Sequence, residues 1–339
     1  MLLEGSQLSR ITDALLAAYT YDELRRMLKE LMNVDFSHLT AAEKTFAAQV
    51  FELVEWFDRQ GRLVDLVRNA HERVPGNTFL EAVFIERCRP PVHFDWVVVT
   101  AGEFLMGSQP ERDEWAEPDE FPQHRLRLPA FRISRTQVTV AQFAAFVAAT
   151  GYRTQAEESG AAKVLLATGS AVERGVNWRY PTGKSNGTTD KKEHPVTCLM
   201  YADVLAFCQW AHVRLPTEAE WEKAARGGDG RIWPWGDSPP DASRCNFGNS
   251  VGDTTPVGSY PNGASPYGAL DMAGNVREWT STLHHAYPYR DDSGSTGTRV
   301  LRGGSYHSNP AYLRCAYRRQ AAFNTKLNLI GFRVVMDGS

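Results

Sequence analysis

Residues 299–335 read RVLRGGSYHSNPAYLRCAYRRQAAFNTKLNLIGFRVV, and the middle of this stretch holds the side chains best suited to directed contact chemistry. Tyr306, Tyr312, Tyr317 and Phe323 supply ring area. Asn309, Asn324 and Asn328 supply amides, and Arg314, Arg318, Arg319 and Lys326 supply charged donors. From Ser293 to Met336 there is no acidic residue against seven Lys and Arg, so no acid close in sequence consumes those donors. Rings and guanidinium groups on a framework-held loop give large contact area and directional hydrogen bonds at low entropic cost, which suits a macromolecular ligand, foremost a protein. The opposing reading pairs the arginines with distant acids and packs the tyrosines inward. Aromatics interleaved with bases also suit single-stranded nucleic acid. A net charge of -3 argues against that partner.

Redox and metal chemistry have fewer candidates. The five cysteines, Cys88, Cys198, Cys208, Cys245 and Cys315, are odd in number and lack CxxC spacing, so neither a zinc ribbon nor a disulfide framework is supported. The phrase Asn275-Val-Arg-Glu278-Trp279 brings an amide and a carboxylate among backbone carbonyls, the oxygen mixture that calcium favours.

Short runs at 299–305 and 330–336 must hold the contact stretch in place. They are rich in branched and aromatic residues and bounded by Gly303, Gly304 and Gly331, a β signal, while 306–329 shows no surviving period and reads as surface. Upstream, Thr139-Val-Ala-Gln142 and Thr217-Glu-Ala-Glu220 are capping boxes, and residues 201–211 form another helix. Residues 152–192 read as a polar insertion over the surface.

The first 85 residues are of another kind. Leu8, Ile11 and Leu15 form one apolar stripe, and Thr20-Tyr-Asp-Glu23 and Thr40-Ala-Ala-Glu43 both read as caps for further helices. The expected organisation is a small all-α bundle at 1–85, a linker at 86–92 around Arg89-Pro90-Pro91, and an α+β domain at 93–339. With 339 residues, 42% of them hydrophobic, the chain can build cores without staples. The N-terminus lacks the features of a signal peptide and no apolar run approaches 18 residues, so a cytoplasmic protein that avoids the membrane is expected.

Eight phrases stand in order: AGEFLMGS, FRISRTQVTVAQFAAF, HPVTCLMYADVLAFCQW, RLPTEAEWEKAARGG, WPWGD, TTPVGSYPNGASPYGALDMAGNVREW, RVLRGGS and GFRVV. Together they resemble the formylglycine-generating-enzyme, or sulfatase-modifying-factor, family over residues 93–336. The resemblance implies an irregular C-type lectin-like fold, with calcium held by Asn275 and Glu278, and a looser second calcium site at Asn246 and the loop to Asp253. It also implies copper held by two cysteines just after the GGS phrase. Here Ser308 stands at the first cysteine's place and the second falls in a segment this chain lacks, so copper and formylglycine synthesis are not expected. The His-x3-His-x-Glu phrase of iron-using branches is also missing. Residues 53–77 resemble the effector-associated domains of bacterial conflict systems, small bundles that recruit a partner protein.

The GGS phrase, an assorted segment and then IGFRVV further resemble the variable proteins of diversity-generating retroelements, which randomise the last segment of a lectin-fold protein. That resemblance makes the chain a non-catalytic binder. Its ligand-facing positions would be Tyr306, His307, Ser308, Asn309, Tyr312, Tyr317, Arg319, Ala321, Ala322, Phe323, Thr325, Leu327 and Asn328. Pro310, Leu313, Arg314, Ala316 and Arg318 would be fixed punctuation.

Overall fold

The computed structural model describes residues 3–38, 43–87, 92–166, 169–183, 187–290 and 297–337. It divides into two compact units, residues 1–91 and 92–339.

The first unit is helical: α1 Gly5–Ala18, α2 Tyr21–Met32, α3 Phe46–Arg59, α4 Leu63–Arg73 and α5 Thr78–Arg87. The Thr20 hydroxyl accepts from Glu23 N, and the Glu23 carboxylate returns to Thr20 N at 2.9 Å, so both ends of the expected box are present. The cap of α3 is Thr45, whose hydroxyl accepts from Ala48 N. Thr40 lies outside the described residues. Leu15, Leu24, Leu28, Leu53, Phe57 and Leu66 are fully buried in one core, each side chain contributing about 1.5–3 kcal/mol by leaving water. Tyr19 crosses this core and donates its hydroxyl to Ala70 O at 2.7 Å.

The second unit begins with β1 Trp96–Val99, β2 Gly102–Met106, β3 His124–Leu128 and β4 Phe131–Ser134, followed by α6 Val140–Thr150 and α7 Gln155–Ser159. It continues with β5 Ala161–Leu166, β6 Gly169–Arg174, α8 Tyr201–Trp210, α9 Glu218–Arg226, β7 Arg277–Leu283, β8 Thr298–Arg302, β9 Arg319–Ala322, β10 Ile330–Phe332 and β11 Val335–Asp337. One sheet has the order β1-β4-β11 and a second the order β10-β7-β8-β9, with hairpins β2-β3 and β5-β6 beside them. Strand β10 runs parallel to β7, while β8 is antiparallel to both β7 and β9.

Two expectations need correction. The interval 306–329 is not structureless: it contains a 3₁₀ turn at Pro310–Leu313 and strand β9. Residues 152–192 are not a surface insertion, because α7, the β5-β6 hairpin and the turn after it carry Ala156, Ala162, Val164, Val176 and Trp178 into the interior. Alternation is legible only where one strand face is wet, and β6 is exposed along its whole length.

Candidate ligand-binding face

The site is best understood from the charges beneath it. Helix α9 opens on the Thr217 cap, which puts Glu218, Glu220 and Glu222 into its first two turns. Glu218 and Glu222 are buried, and Arg302 on β8 reaches Glu218 Oε1 at 2.5 Å and Glu222 Oε2 at 2.8 Å. Arg318 closes on Glu218 with Nε at 2.6 Å from Oε1 and Nη2 at 3.0 Å from Oε2. Arg314 meets Asp113 at 2.6 Å and Glu120 at 2.7 Å. Burial pushes Glu218 upward, but Arg302 and Arg318 outweigh it and hold the carboxyl below its usual range. These pairs are strong because each is hydrogen-bonded as well as charged, and removing one partner strands the other in a dry interior.

This frame corrects half of the base cluster read from the sequence. Arg314 and Arg318 are interior, and the Lys326 ammonium is engaged by Ser159 Oγ at 2.6 Å. Arg319 remains exposed on the edge strand β9.

The candidate ligand-facing positions divide in the same way. His307, Asn309, Arg319, Ala322 and Phe323 are exposed, and Tyr312, Ala321, Thr325 and Leu327 are half-buried. Tyr306, Ser308, Tyr317 and Asn328 are buried, so they are corrected from display positions to supports. Tyr306 N donates to Asn275 O, and burial pushes its phenol up to about 12. Ser308 Oγ accepts from Ser305 N at 3.0 Å and from Arg277 Nη2 at 3.3 Å. Tyr317 lies under Tyr312, ring centroids 4.8 Å apart. The Asn328 amide binds both backbone groups of Leu165, pinning the β5-β6 hairpin. Phe323, 42% exposed, also stands at the rim of a cleft of about 970 Å³ whose walls include Tyr201, Leu205 and Leu215.

The calcium candidates do not fit a cation. Glu278 Oε1 accepts from Gln137 Nε2 at 2.9 Å and Arg333 Nη2 at 2.8 Å, and Oε2 from Trp221 Nε1 and Arg333 Nε, both at 2.6 Å. Four donors satisfy the carboxylate, and Arg333 supplies the compensating charge. The Asn275 amide is spent on Thr255 and Gln137. In the looser second loop, Asn246 Oδ1 is buried with no hydrogen-bond partner among the described residues. Asp253, however, turns its carboxylate to Lys191 at 2.5 Å and Thr254 N at 2.7 Å. Cys88 lies outside the described residues, and the other four cysteines do not fit a two-thiolate copper site either. Cys198, Cys208, Cys245 and Cys315 fall in separate hydrophobic clusters, and burial raises every one of these thiols, the opposite of what a metal-binding thiolate needs.

Sequence reasoning passed over Asp271. Its Oδ2 accepts from Gly258 N at 2.6 Å, yet burial pushes the carboxyl up to about 6. An acid whose folded pKa exceeds its unfolded value near 3.9 contributes stability at low pH, and that contribution declines as pH rises towards 6. Asp271→Asn is therefore expected to stabilise the protein at pH 7 by on the order of 2 kcal/mol, with the gain shrinking as pH falls below about 6 and gone below about 4. Thermal melts across that range test it. The left-handed backbone at φ 56° is one that Asn also adopts.

Three comparisons place this architecture. The profile of the sulfatase-modifying factor enzyme 1-like domain matches residues 82–338, and that of effector-associated domain 1 matches residues 1–88. The formylglycine-generating enzyme of Streptomyces coelicolor is 38% identical over 282 residues, covering 71% of this chain and 88% of the relative. Among solved structures, PvdO from Pseudomonas aeruginosa superposes with a TM-score of 0.57 at 26% identity, over 74% of this chain and 99% of that one. Treponema denticola variable protein 1 superposes with a TM-score of 0.53 at 20% identity, over 73% and 96%, a likeness of fold. The C-terminal unit is thus a mixed helix and strand domain of the C-type lectin-like kind. The chain belongs to the sulfatase-modifying factor enzyme 1-like family, with effector-associated domain 1 ahead of that domain.

Proposed function

We propose that the C-terminal unit is a non-catalytic binding scaffold in the cytoplasm, and that the N-terminal bundle recruits an effector protein when the scaffold is occupied. The observation that carries this reading is the division of labour within one short segment. Leu313, Arg314, Cys315, Ala316 and Arg318 are buried, while His307, Asn309, Arg319, Ala322 and Phe323 are exposed around them. Such a segment can change its surface without changing its frame. Ser308, where the enzymes carry a cysteine, supports the reading further, because its hydroxyl is already committed to Ser305 and Arg277. The similarity of the chain to formylglycine-generating enzymes favours an oxidase as the second reading.

Two measurements test the proposal. Copper-loaded protein is expected to consume no oxygen with a cysteine-containing peptide, and turnover would establish the oxidase reading instead. Libraries randomised at His307, Asn309, Arg319, Ala322 and Phe323 are expected to stay largely protease-resistant, whereas libraries at Tyr306, Ser308, Tyr317 and Asn328 lose most folded members. Equal losses in the two libraries would remove the scaffold reading.

A further inference from the structure

The register of the second sheet brings together two arginines that the frame does not neutralise. Trp279 on β7 pairs with Leu301 on β8, and Leu301 pairs with Arg319 on β9, so these three residues share one face. Arg277 precedes Trp279 by two residues on β7 and therefore lies on that face too. Two strand spacings across and two residues along put the Arg277 and Arg319 Cα atoms about 12 Å apart, within converging reach of two long side chains. Glu278 and Arg302, the next row of the register, belong to the opposite face.

Arg319 is hydrogen-bonded to Tyr317, a neutral partner, whereas the buried arginines nearby are neutralised. Arg302, Arg314, Arg318 and Arg333 are all paired with carboxylates. Among the described residues, neither Arg277 nor Arg319 forms an ion pair. Among the described residues the Arg277 side chain hydrogen-bonds a hydroxyl, Ser308 Oγ at 3.3 Å, and its Nε is buried without a hydrogen-bond partner. A buried guanidinium donor left over in this way is costly unless something completes it. Burial holds the Arg277 pKa below its ordinary value, and Arg319 adds to that as a like charge, while Tyr317 and Tyr312 oppose it. Tyr317 packs on Tyr312 and hydrogen-bonds Arg319, and all three lie near enough to Arg277 to bear on its charge. Glu117 is the acid that senses Arg319 there, and burial raises its carboxyl above the usual range.

Resting on the display reading above, we propose that Arg277 and Arg319 form an anion subsite on the face, floored by Tyr312 and Tyr317, which takes a carboxylate of an acidic protein segment. Guanidinium groups bind carboxylates through paired hydrogen bonds, and a ligand carboxylate would supply the acceptor that Arg277 Nε lacks. A nucleic acid fits less well. Its phosphates need a track of bases, and the exposed neighbours here are Asn309, Gln320, Ala322 and Phe323 in a chain of net charge -3.

The probe is a phage library of random dodecapeptides panned on the full chain, followed by affinity measurement of the isolates. Isolates are expected to be enriched in Asp or Glu. They should weaken at least tenfold against Arg277→Gln and against Arg319→Gln, each variant keeping the parent melting temperature, and retain more affinity for Arg277→Lys than for Arg277→Gln. A dT20 oligonucleotide is expected to bind more weakly than the isolates, and tighter binding of dT20 would overturn the protein assignment. Isolates that depend on Tyr312 and Phe323 in alanine variants but show no acid enrichment and no loss at the two arginines would overturn the subsite and leave the display reading standing. Failure to recover isolates, or isolates indifferent to all four side chains, would overturn both.

Discussion

Glu218→Gln is expected to cost the protein about 3–5 kcal/mol, because it leaves two buried guanidinium groups facing a neutral amide. Arg302 and Arg318 both converge on this carboxylate, and the three side chains have almost no access to solvent. Tyr287 adds its hydroxyl at 3.4 Å from Glu218 Oε1. Glu222 still faces Arg302, but it also serves Arg226 at 2.7 Å and Gly107 N at 2.8 Å. Arg318 has no second acid among its described partners, which are otherwise the carbonyls of Asp119 and His285. Chemical denaturation of the full chain measures the loss. Glu103→Gln is the control, since its contact with Arg125 at 3.7 Å is exposed and is expected to contribute under about 1 kcal/mol. The pH dependence carries the same signature. Glu218 is held below its usual range, so its contribution is fully present above the unfolded carboxyl value near 4.3 and is lost as pH falls through the lower folded value. The glutamine variant should lack that part of the acid transition. A loss below about 1 kcal/mol would mean that the arginine network does not hold the frame together.

Gly304→Ala is expected to destabilise by about 2–4 kcal/mol and to disturb the proposed binding face at the same time. Gly304 has φ 67°, and a Cβ there would stand 2.6 Å from Tyr312 O and 2.7 Å from Leu313 Cδ2. The first obstacle is backbone, which cannot step aside as a side-chain tip can. The turn carrying Tyr312 must therefore move or the strand end must unwind. Gly160→Ala separates the two costs, because Gly160 shares the left-handed φ of 70° but has nothing within 4 Å of an added Cβ. That variant should lose only the conformational part, about 1 kcal/mol. If the two variants melt alike, the packing of the GGS phrase against the Tyr312 turn is not a constraint.

Much of this arrangement was visible in the residues alone. The caps at Thr20, Thr139 and Thr217 declare themselves because a hydroxyl followed three residues later by Glu or Gln satisfies two orphan backbone donors locally. Strand β8 declares itself through branched residues between Gly297 and Gly303, and β10 through Ile330 and Phe332 on either side of Gly331. The ordered phrases carried the fold of the second unit, although most of their charged members turned out to be frame. What could not be read was pairing across long separations. Arg314 finds Glu120 across 194 residues, and nothing in the local spelling distinguishes it from the exposed Arg319. The same blindness produced the calcium assignment: Asn275 and Glu278 have the oxygen chemistry of cation ligands, and only the three-dimensional arrival of Arg333 shows how that carboxylate is neutralised. Trp279 departs in the other direction, since its indole N–H finds no acceptor among the described residues although a buried indole usually has one.

Strands β10 and β11 follow the displayed interval in the chain, yet β10 lies against β7 and β11 against β4, one in each of the larger sheets. During synthesis the interval therefore leaves the ribosome before the strands that complete the two sheets. An interval that fails to deliver Arg314 and Arg318 to their acids leaves Glu120 and Glu218 charged inside an unfinished barrier of protein, a state open to proteases. On the display reading proposed above, a change at the exposed positions would be screened for its ability to complete the molecule before any ligand could select it.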